Sequence, residues 1–471
     1  MWMWMRRRMS CFVLLPTIAI MRTWIDPIVA GAQVASSFYD TGLLLAVKNH
    51  YNHTIDASNS SSEDTLQKAI SNFYIIHNLI LGLAPLLSAY ILARLSDKGN
   101  RKITICVPLA GYLISRLFLL FVILWDWPIE IMYGSAALNG LTGWFTAYWS
   151  GVMAWASRGS SESKRSLRLI IIELVYGLAG FIGSLASGHI FVHFQITRHN
   201  GVVLVSCSLA LYLFCLLYSI FVLKPPHVEG IQNVNPIPSD RESKNKVAAP
   251  TENSRLLGTY SDGQAASILA INTTLPPKVL IALLFTGAIF YNVAVSGAVD
   301  VLPFYVIKEP LSWGPVFIGY GSAAGYLIFI TSFLAVYILS GRVKDLVLTC
   351  IGIVSFCAGI LIMAFVQKTY LYYIARAVMM FSLIPLPTIR SVLSKQVQGS
   401  SYGKIFVVLQ FSLAISAVIT SIAFNKIYQA TLQLFSGSSF ILSAVIAALS
   451  LIPIGIAAYK YPTRPNTDAT T

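Results

Sequence analysis

The sequence predicts an all-α protein that crosses a membrane many times, and three observations carry that expectation. Hydrophobic residues make up 56% of the 471 and charged residues 11%, where a soluble domain carries about 25% charged residues; mean hydropathy is +0.69. Apolar runs recur along the chain, each near the roughly 20 residues that a helix needs to cross a bilayer. Lys and Arg crowd into alternate segments between those runs. A water-soluble enzyme, a disordered chain and a secreted module are thereby excluded. The net charge of +14 is expected on one side of the membrane. It does not point to nucleic acid, because no basic patch interleaved with exposed aromatics stands out. Cys11, Cys106, Cys207, Cys215, Cys350 and Cys357 lie in or beside apolar runs. They show no zinc spacing and no pairing pattern in polar loops, so neither a metal site nor a structural disulfide is expected.

Residues 1–24 combine Arg6–Arg8 with the apolar stretch Cys11–Met21. The stretch is too short to span and no clear small-residue cleavage site follows, so it reads as an uncleaved cytoplasmic leader. Six apolar runs come next, 25–47, 69–95, 103–124, 131–156, 167–192 and 201–223, forming one half over 25–223. The first carries Asp40, the second is broken by Pro85 and the third carries Arg116. The fifth carries Glu173 and the ladder Gly177, Gly180, Gly183, Ser187, whose small side chains let helices approach closely. Residues 224–278 are rich in Ser, Asn, Pro and charge and read as a disordered cytoplasmic linker. Six further runs, 279–305, 314–339, 346–367, 370–394, 405–425 and 433–459, form the other half over 279–459. Its first run carries Asp300 and Pro303, and its fourth carries Arg376, Pro385, Pro387 and Arg390. Breaks of this kind are tolerated in membranes where neighbouring helices satisfy the freed backbone groups. Residues 460–471 form a cytoplasmic tail.

With the N-terminus inside, the inside segments hold 24 Lys and Arg and the outside segments 6, a strong orientation signal. Both termini are then cytoplasmic. Twelve transmembrane helices in two six-helix halves joined by a cytoplasmic linker are the layout of the major facilitator fold, whose substrate sits between the halves near the bilayer midplane.

The loop after the second run reads Leu95-Ser96-Asp97-Lys98-Gly99-Asn100-Arg101-Lys102. It resembles the signature loop of that fold, an Asp followed four residues later by Arg and a second base, with Ala93 where a leading Gly is usual. Asp97 can face a neighbouring helix N-terminus, where a carboxylate is favoured by about 0.3–1 kcal/mol, and Arg101 can hold it there. Asp97, Arg101 and Lys102 are therefore the expected gating latch. The bland alternative is an ordinary basic inside loop.

A charge inside a span costs roughly 2.5–3.5 kcal/mol on insertion scales and is a functional candidate by default. Six occur: Asp40, Arg116, Glu173, Asp300, Arg376 and Arg390. The functional reading makes Glu173, alone between Ile172 and Leu174 in an apolar run, the proton-coupling carboxylate. Arg390, Arg376, Asp40 and Asp300 then form the substrate site, with arginines holding an anion. The structural alternative is ion pairing between helices, and Arg116 is expected in a packing core. His77 and His189 are expected as hydrogen-bonded helix contacts ahead of proton relays. No phosphate-binding Gly loop, catalytic triad or dinucleotide fingerprint occurs. Neither an enzyme nor an ATP-driven pump is supported, and no cofactor is expected beyond protons as coupling ion.

Longer blocks are more specific. Ser71-Asn72-Phe73-Tyr74-Ile75-Ile76, Pro85-Leu86-Leu87-Ser88-Ala89-Tyr90, Asp126-Trp127-Pro128, Ala136-Ala137-Leu138-Asn139-Gly140, Trp149-Ser150-Gly151-Val152-Met153-Ala154, Gly319-Tyr320-Gly321-Ser322-Ala323-Ala324, Tyr373-Ile374-Ala375-Arg376-Ala377-Val378-Met379 and Gly399-Ser400-Ser401-Tyr402-Gly403-Lys404 resemble the proton-coupled folate transporter family of the major facilitator superfamily, over about Arg22 to Lys460. The resemblance implies H⁺-driven uptake of organic anions: folates and antifolates in one branch, cell-wall muropeptides and cyclic dinucleotides in others. It matches the family's coupling glutamate to Glu173, its span-ten arginine to Arg390 and its span-seven acid to Asp300. It also shows departures. Trp144 stands where the folate carrier has a span-four aspartate, Val295 where it has a histidine, and the outside loops lack its paired cysteines. These weaken the case for folate and fit a more aromatic pocket with Trp144 in it.

The expectation is a plasma-membrane H⁺-coupled symporter for small polar organic anions, with that substrate and membrane lipids as its partners and no nucleic acid. The alternatives are an endolysosomal exporter and a non-transporting sensor or scaffold, which the intramembrane Glu173 and Arg390 disfavour. The charge count yields a direct test. Asn52 and Asn59, in sequons outside, should carry N-glycans, whereas Asn272, inside, should not. Glycosidase shifts on single Asn→Gln variants read this, and a glycan on Asn272 overturns the orientation.

Overall fold

An apolar stretch in hydrocarbon has no external partner for its backbone, so it folds as a helix. Every regular element among the described residues is helical. The computed structural model describes residues 25–54, 60–97, 102–158, 162–194, 200–223, 277–308, 310–339, 343–396 and 401–460. The expected leader, nearly all of the linker, the tail beyond Lys460, Asn59, Asn272 and Arg101 lie outside them.

The helices are α1 (Asp26–Thr54), α2 (Ser60–Asp97), α3 (Ile103–Leu124), α4 (Ile131–Leu141), α5 (Trp144–Arg158), α6 (Glu162–His193) and α7 (Val202–Leu217, closing in a π-helical turn Tyr218–Val222). After the segment 224–276 come α8 (Pro277–Ile307), α9 (Pro315–Leu339), α10 (Asp345–Ala364), α11 (Thr369–Val378), α12 (Pro385–Gln396), α13 (Ser401–Thr431) and α14 (Ser438–Lys460). Among the described residues, nine helices are long and apolar enough to cross a membrane: α2, α3, α6, α7 with its π turn, α8, α9, α10, α13 and α14. α1 is 29 residues long, but Gln33, Ser36, Ser37 and Asp40 make it more polar.

Two expected continuous runs are each two helices. In the run 131–156 the chain turns at Gly143 (φ +93°) and Trp144 (φ +41°). A Cβ on Gly143 would also crowd Ala147 and Leu92, so glycine is needed there on both counts. Thr142 Oγ1 donates to the Asn139 carbonyl at 2.7 Å and Ser88 Oγ to the Gly140 carbonyl at 2.8 Å. In the run 370–394 the break falls between Val378 and Pro385, where proline has no N–H and pushes the preceding residue out of helical geometry. Neighbouring helices take up the freed groups. Ser355 Oγ of α10 donates to the Val378 carbonyl at 2.6 Å, Thr331 and Ser332 of α9 each donate to the Met380 carbonyl at 2.9 Å, and Tyr291 of α8 donates to the Ser382 carbonyl. In return, Phe381 N–H donates to Ser355 Oγ and Leu383 N–H to Ser332 Oγ, both at 3.3 Å.

The N-terminal set (α1–α7) and the C-terminal set (α8–α14) meet mainly where α6 lies along α9 and α2 along α13. The ladder predicted on α6 makes the first contact possible: Gly177 faces Phe329 and Ile330, Gly180 faces Tyr326, and Gly183 faces Val34 and Ser37 of α1. At one end of the bundle the two backbones touch, with Gly188 against Pro315 and Gly319 against the Ser184 carbonyl. This end lies away from the segment 224–276 and is termed the distal end; the other is the linker end. The apolar core follows the same division. One cluster joins the sets around Phe38, Leu43, Phe73, Phe191 and Phe304. Towards the linker end, Ile28, Leu109, Tyr148, Trp155 and Leu223 form a cluster within the N-terminal set, and Ala335, Leu348 and Ile384 form another within the C-terminal set. Among the described residues, the sets share backbone contact and apolar packing distally, and towards the linker end the N-terminal set has an apolar cluster of its own.

Gly319→Val should destabilise the protein by about 1–3 kcal/mol, because its Cβ meets backbone that cannot give way. Gly455→Val, with nothing within 4 Å of the added Cβ, is the control. Thermal unfolding in detergent should show a lowered Tm for Gly319→Val; equal Tm values for both contradict the backbone contact.

Candidate functional site

The α1 sequence turns its small and apolar residues into the packing, and Phe38, Tyr39, Thr41, Gly42 and Leu43 are buried; Asp40 among them is accessible. Its surroundings show what it is accessible to. The carboxylate lies within electrostatic range of Arg116 on α3, Tyr74 on α2, Tyr176 on α6, Tyr212 on α7 and Tyr326 on α9. Five helices from both sets surround it, so Asp40 opens into the interior of the bundle.

Below it, towards the linker end, an aromatic ribbon crosses from one set to the other. Phe145 stacks on Trp149 (centroids 5.5 Å, planes 16° apart), and Trp149 meets Tyr176 edge-on at 4.9 Å. Tyr176 then contacts Tyr326 at 6.3 Å and Phe329 at 5.5 Å in the C-terminal set. Gln33 Nε2 donates to Tyr326 Oη at 2.6 Å, tying α1 to α9. Trp144 packs on the apolar cluster of the N-terminal set beside Tyr148 and Tyr112. Phe145, Trp149 and Tyr176, which the sequence reading did not select, carry the ring system across the seam.

Glu173 is one turn from Tyr176 towards the linker end. Its Oε2 is buried and has no hydrogen-bond partner. Arg390 of α12 is the charged group acting on it, yet the two form no direct ion pair. Arg390 Nη2 instead donates to Gln410 Oε1 of α13 at 3.1 Å. The pair thus faces across the sets where the core is divided.

Arg116, Arg376 and Asp300 face groups of their own set. Arg116, 3% exposed, is held by three tyrosine rings, with its Cζ 3.9 Å from the Tyr39 centroid, 4.6 Å from Tyr212 and 4.9 Å from Tyr112. A desolvated guanidinium is well served by such faces, and this is a packing role. Arg376 donates through Nε and Nη2 to the Tyr372 hydroxyl at 3.0 and 2.9 Å and lies over that ring; its Nη2 faces Gly325 of α9. Asp300 on α8 lies beside Ser421 of α13. His189 Nε2 and the Tyr320 hydroxyl are hydrogen-bonded at 2.8 Å across the sets. His77 stacks on Phe73 at 5.7 Å with its Nδ1 unpartnered, beside Asn78.

Of the expected latch, Asp97 ends α2, and its side chain lies outside the described residues. Lys102 Nζ donates to the Ile220 carbonyl at 3.0 Å. It thereby caps the π turn from which the segment 224–276 departs, a contact that a reading of the loop alone misses. Asn52 is exposed at the distal end of α1. The five described cysteines, Cys106, Cys207, Cys215, Cys350 and Cys357, are free thiols.

Residues 31–421 match the Major Facilitator Superfamily, and the chain is 50% identical to solute carrier family 46 member 2 of Canis lupus familiaris over 93% of its own length and 94% of that protein's. The chain belongs to solute carrier family 46 of the Major Facilitator Superfamily. The resemblance to the proton-coupled folate transporter family is thereby borne out, and the chain is a multi-pass membrane protein of a transporter family. It is also 30% identical to the Gallus gallus protein named lysosomal proton-coupled steroid conjugate and bile acid symporter SLC46A3, over 87% of this chain and 86% of that one. Among solved structures, the POT family transporter PepTSo is similar with a TM-score of 0.60 at 12% identity, covering 92% of this chain and 97% of that chain. At that identity the likeness speaks to the fold alone.

Proposed function

We propose that this solute carrier is a proton-coupled symporter that moves small polar organic anions from an acidic compartment into the cytoplasm. Glu173 carries the reading. A carboxylate with a buried oxygen and no hydrogen bond is costly to hold as an anion, and protonation removes that cost. Arg390, the cation that acts on Glu173 across the seam, offers a substrate anion a planar bidentate fork. The two charges make a switch: protonation of Glu173 removes the anion that competes for the field of Arg390, leaving the guanidinium to the substrate. The proton-coupled relative supports the same chemistry. The aromatic ribbon and the accessible Asp40 supply the rest of the cavity, and its ring faces suit the flat or apolar part of an anion such as an antifolate, a cyclic dinucleotide or a muropeptide.

In this reading the nine apolar helices, α1 and the broken pairs α4–α5 and α11–α12 make twelve spans in two six-helix halves. The linker end, with both termini, is cytoplasmic and the distal end is external or lumenal. Asp97, Arg101 and Lys102 form the gating latch, and Asn52 and Asn59 carry glycans. The expected location is the plasma membrane. The lysosomal relative favours a second reading, the same transport out of an acidic endolysosomal lumen, which surface labelling of intact cells separates from the first.

The test is uptake of a radiolabelled anion panel at acidic and neutral external pH, with and without a protonophore. One member should accumulate at acidic pH and lose accumulation with the protonophore. Arg390→Ala should raise KM roughly 10-fold or more, the loss of a charged hydrogen bond in a desolvated site. Arg390→Lys should rescue only part. Surface-expressed protein that accumulates no anion under a proton gradient overturns the reading.

A further inference from the structure

Where the two sets meet at the distal end, the contacts between α2 and α13 and at the end of α8 are polar and cross from set to set. Lys308, just past α8, donates through Nζ to Asp64 Oδ1 in the first turns of α2 at 3.0 Å and to the Leu432 carbonyl at the end of α13 at 2.9 Å. One ammonium thus holds the ends of three helices. The side chains of Lys308 and Asp64 are only 13% and 18% exposed. About two turns along the same seam, Lys426 Nζ and Gln429 Nε2 both donate to Asn72 Oδ1, at 3.2 and 2.9 Å. Gln429 Nε2 also reaches Ser71 Oγ at 3.1 Å, and Ser71 Oγ donates to Asn425 Oδ1 at 3.0 Å. Ser71 and Asn425 are fully buried. Beneath this network lie Tyr74 and Phe304, in contact across the sets at 5.2 Å.

Among the described residues of the linker end, the ion pair Asp26–Arg168 (2.9 and 2.5 Å) and the Lys102–Ile220 contact stay within the N-terminal set. The asymmetry has a physical meaning. An apolar seam that parts towards water exposes surface with no compensation, whereas amide, hydroxyl and ionic groups are rehydrated as they separate. A polar seam crossing the sets is therefore the kind that can open and reclose, provided its groups meet water when they part.

We propose that Lys308, with Asp64 and the Leu432 carbonyl, and Asn72 with Lys426 and Gln429 form the distal gate of the transporter, a two-part clasp that closes the cavity on the acidic side and must be undone in each cycle. The proposal rests on the transport reading for its cycle, but the clasp itself is a statement about which contacts hold the distal end shut. Lys308 is its pivot because it joins α2 to both α8 and α13. Asp64 acts through Lys308 as a positioning residue, and Asn72 acts the same way for Lys426 and Gln429.

The test is thiol accessibility below the clasp, which needs no substrate and no proton gradient. Tyr74→Cys is introduced and labelled from outside intact cells with a membrane-impermeant maleimide. The signal is the increment over the same protein without Tyr74→Cys. With the clasp intact the increment should be small. Lys308→Met and, separately, Asn72→Ala should raise the labelling rate several-fold, and Lys308→Arg, which keeps the cation, should leave it low. Asp64→Asn serves as the second disruption if Lys308→Met does not reach the surface. Unchanged labelling in the surface-expressed disrupted variants overturns the proposal, as does equal labelling of Lys308→Met and Lys308→Arg. Raised labelling in a protein that accumulates no anion would leave the clasp standing and remove only the transport reading.

Discussion

A charge placed inside an apolar bundle has to be answered by the protein itself, and the way each one is answered sorts the polar residues of this chain. Asp26 is paired by Arg168. Arg116 is surrounded by three tyrosine faces and Arg376 is held by the Tyr372 hydroxyl, whereas Asp300 lies beside Ser421, whose Oγ makes no hydrogen bond. Glu173 stands apart in facing a cation of the other set, Arg390, with one carboxylate oxygen buried and unpartnered. A group left incompletely satisfied in a low-dielectric setting is either a liability or a working part. Its neighbour Arg390 sits across the seam, where the two sets diverge, and this favours the second.

In the proposed cycle the seam is what makes that local chemistry vectorial. Small residues on α6 bring α9 to backbone contact distally, and the shared apolar cluster joins the sets through Phe38, Phe73 and Phe304 before running down the C-terminal set to Leu284 and Leu346, while the N-terminal set has a cluster of its own towards the linker end. The broken helices work to the same purpose. A continuous α-helix through Met379–Ile384 would leave no free carbonyls for Thr331, Ser332, Ser355 and Tyr291 to bind. The break knits α8, α9, α10 and α11 together within the C-terminal set, so that set can move as one unit against the other.

Much of this was legible in the sequence, because hydropathy and charge bias report on lipid and on water directly. The positions of the apolar runs and the ladder on α6 follow from composition alone. The break at Val378–Pro385 was half legible: the prolines mark it, but the serines and threonines that satisfy it lie on other helices. The tyrosine cage of Arg116 was not legible, since Tyr39, Tyr112 and Tyr212 are far apart in sequence and no local pattern joins them. The same holds for the aromatic ribbon. Trp144 stood out by resemblance to the folate carrier, whereas Trp149, Tyr176 and Tyr326 face the interior through helix rotation, which an all-round apolar span does not encode. Lys308 and Asp64 lie between the apolar runs in sequence, and their meeting depends on two helices from different sets ending at one height.

The central claim is that Glu173 carries the proton that drives the substrate. Glu173→Gln fixes a neutral side chain of nearly the same shape, so counterflow exchange and net pH-driven accumulation should separate. In surface-matched protein the account predicts that Glu173→Gln retains exchange of labelled for unlabelled substrate and loses uphill accumulation together with its pH dependence. Full accumulation by Glu173→Gln under an inward proton gradient would contradict it and place the coupling proton on another group.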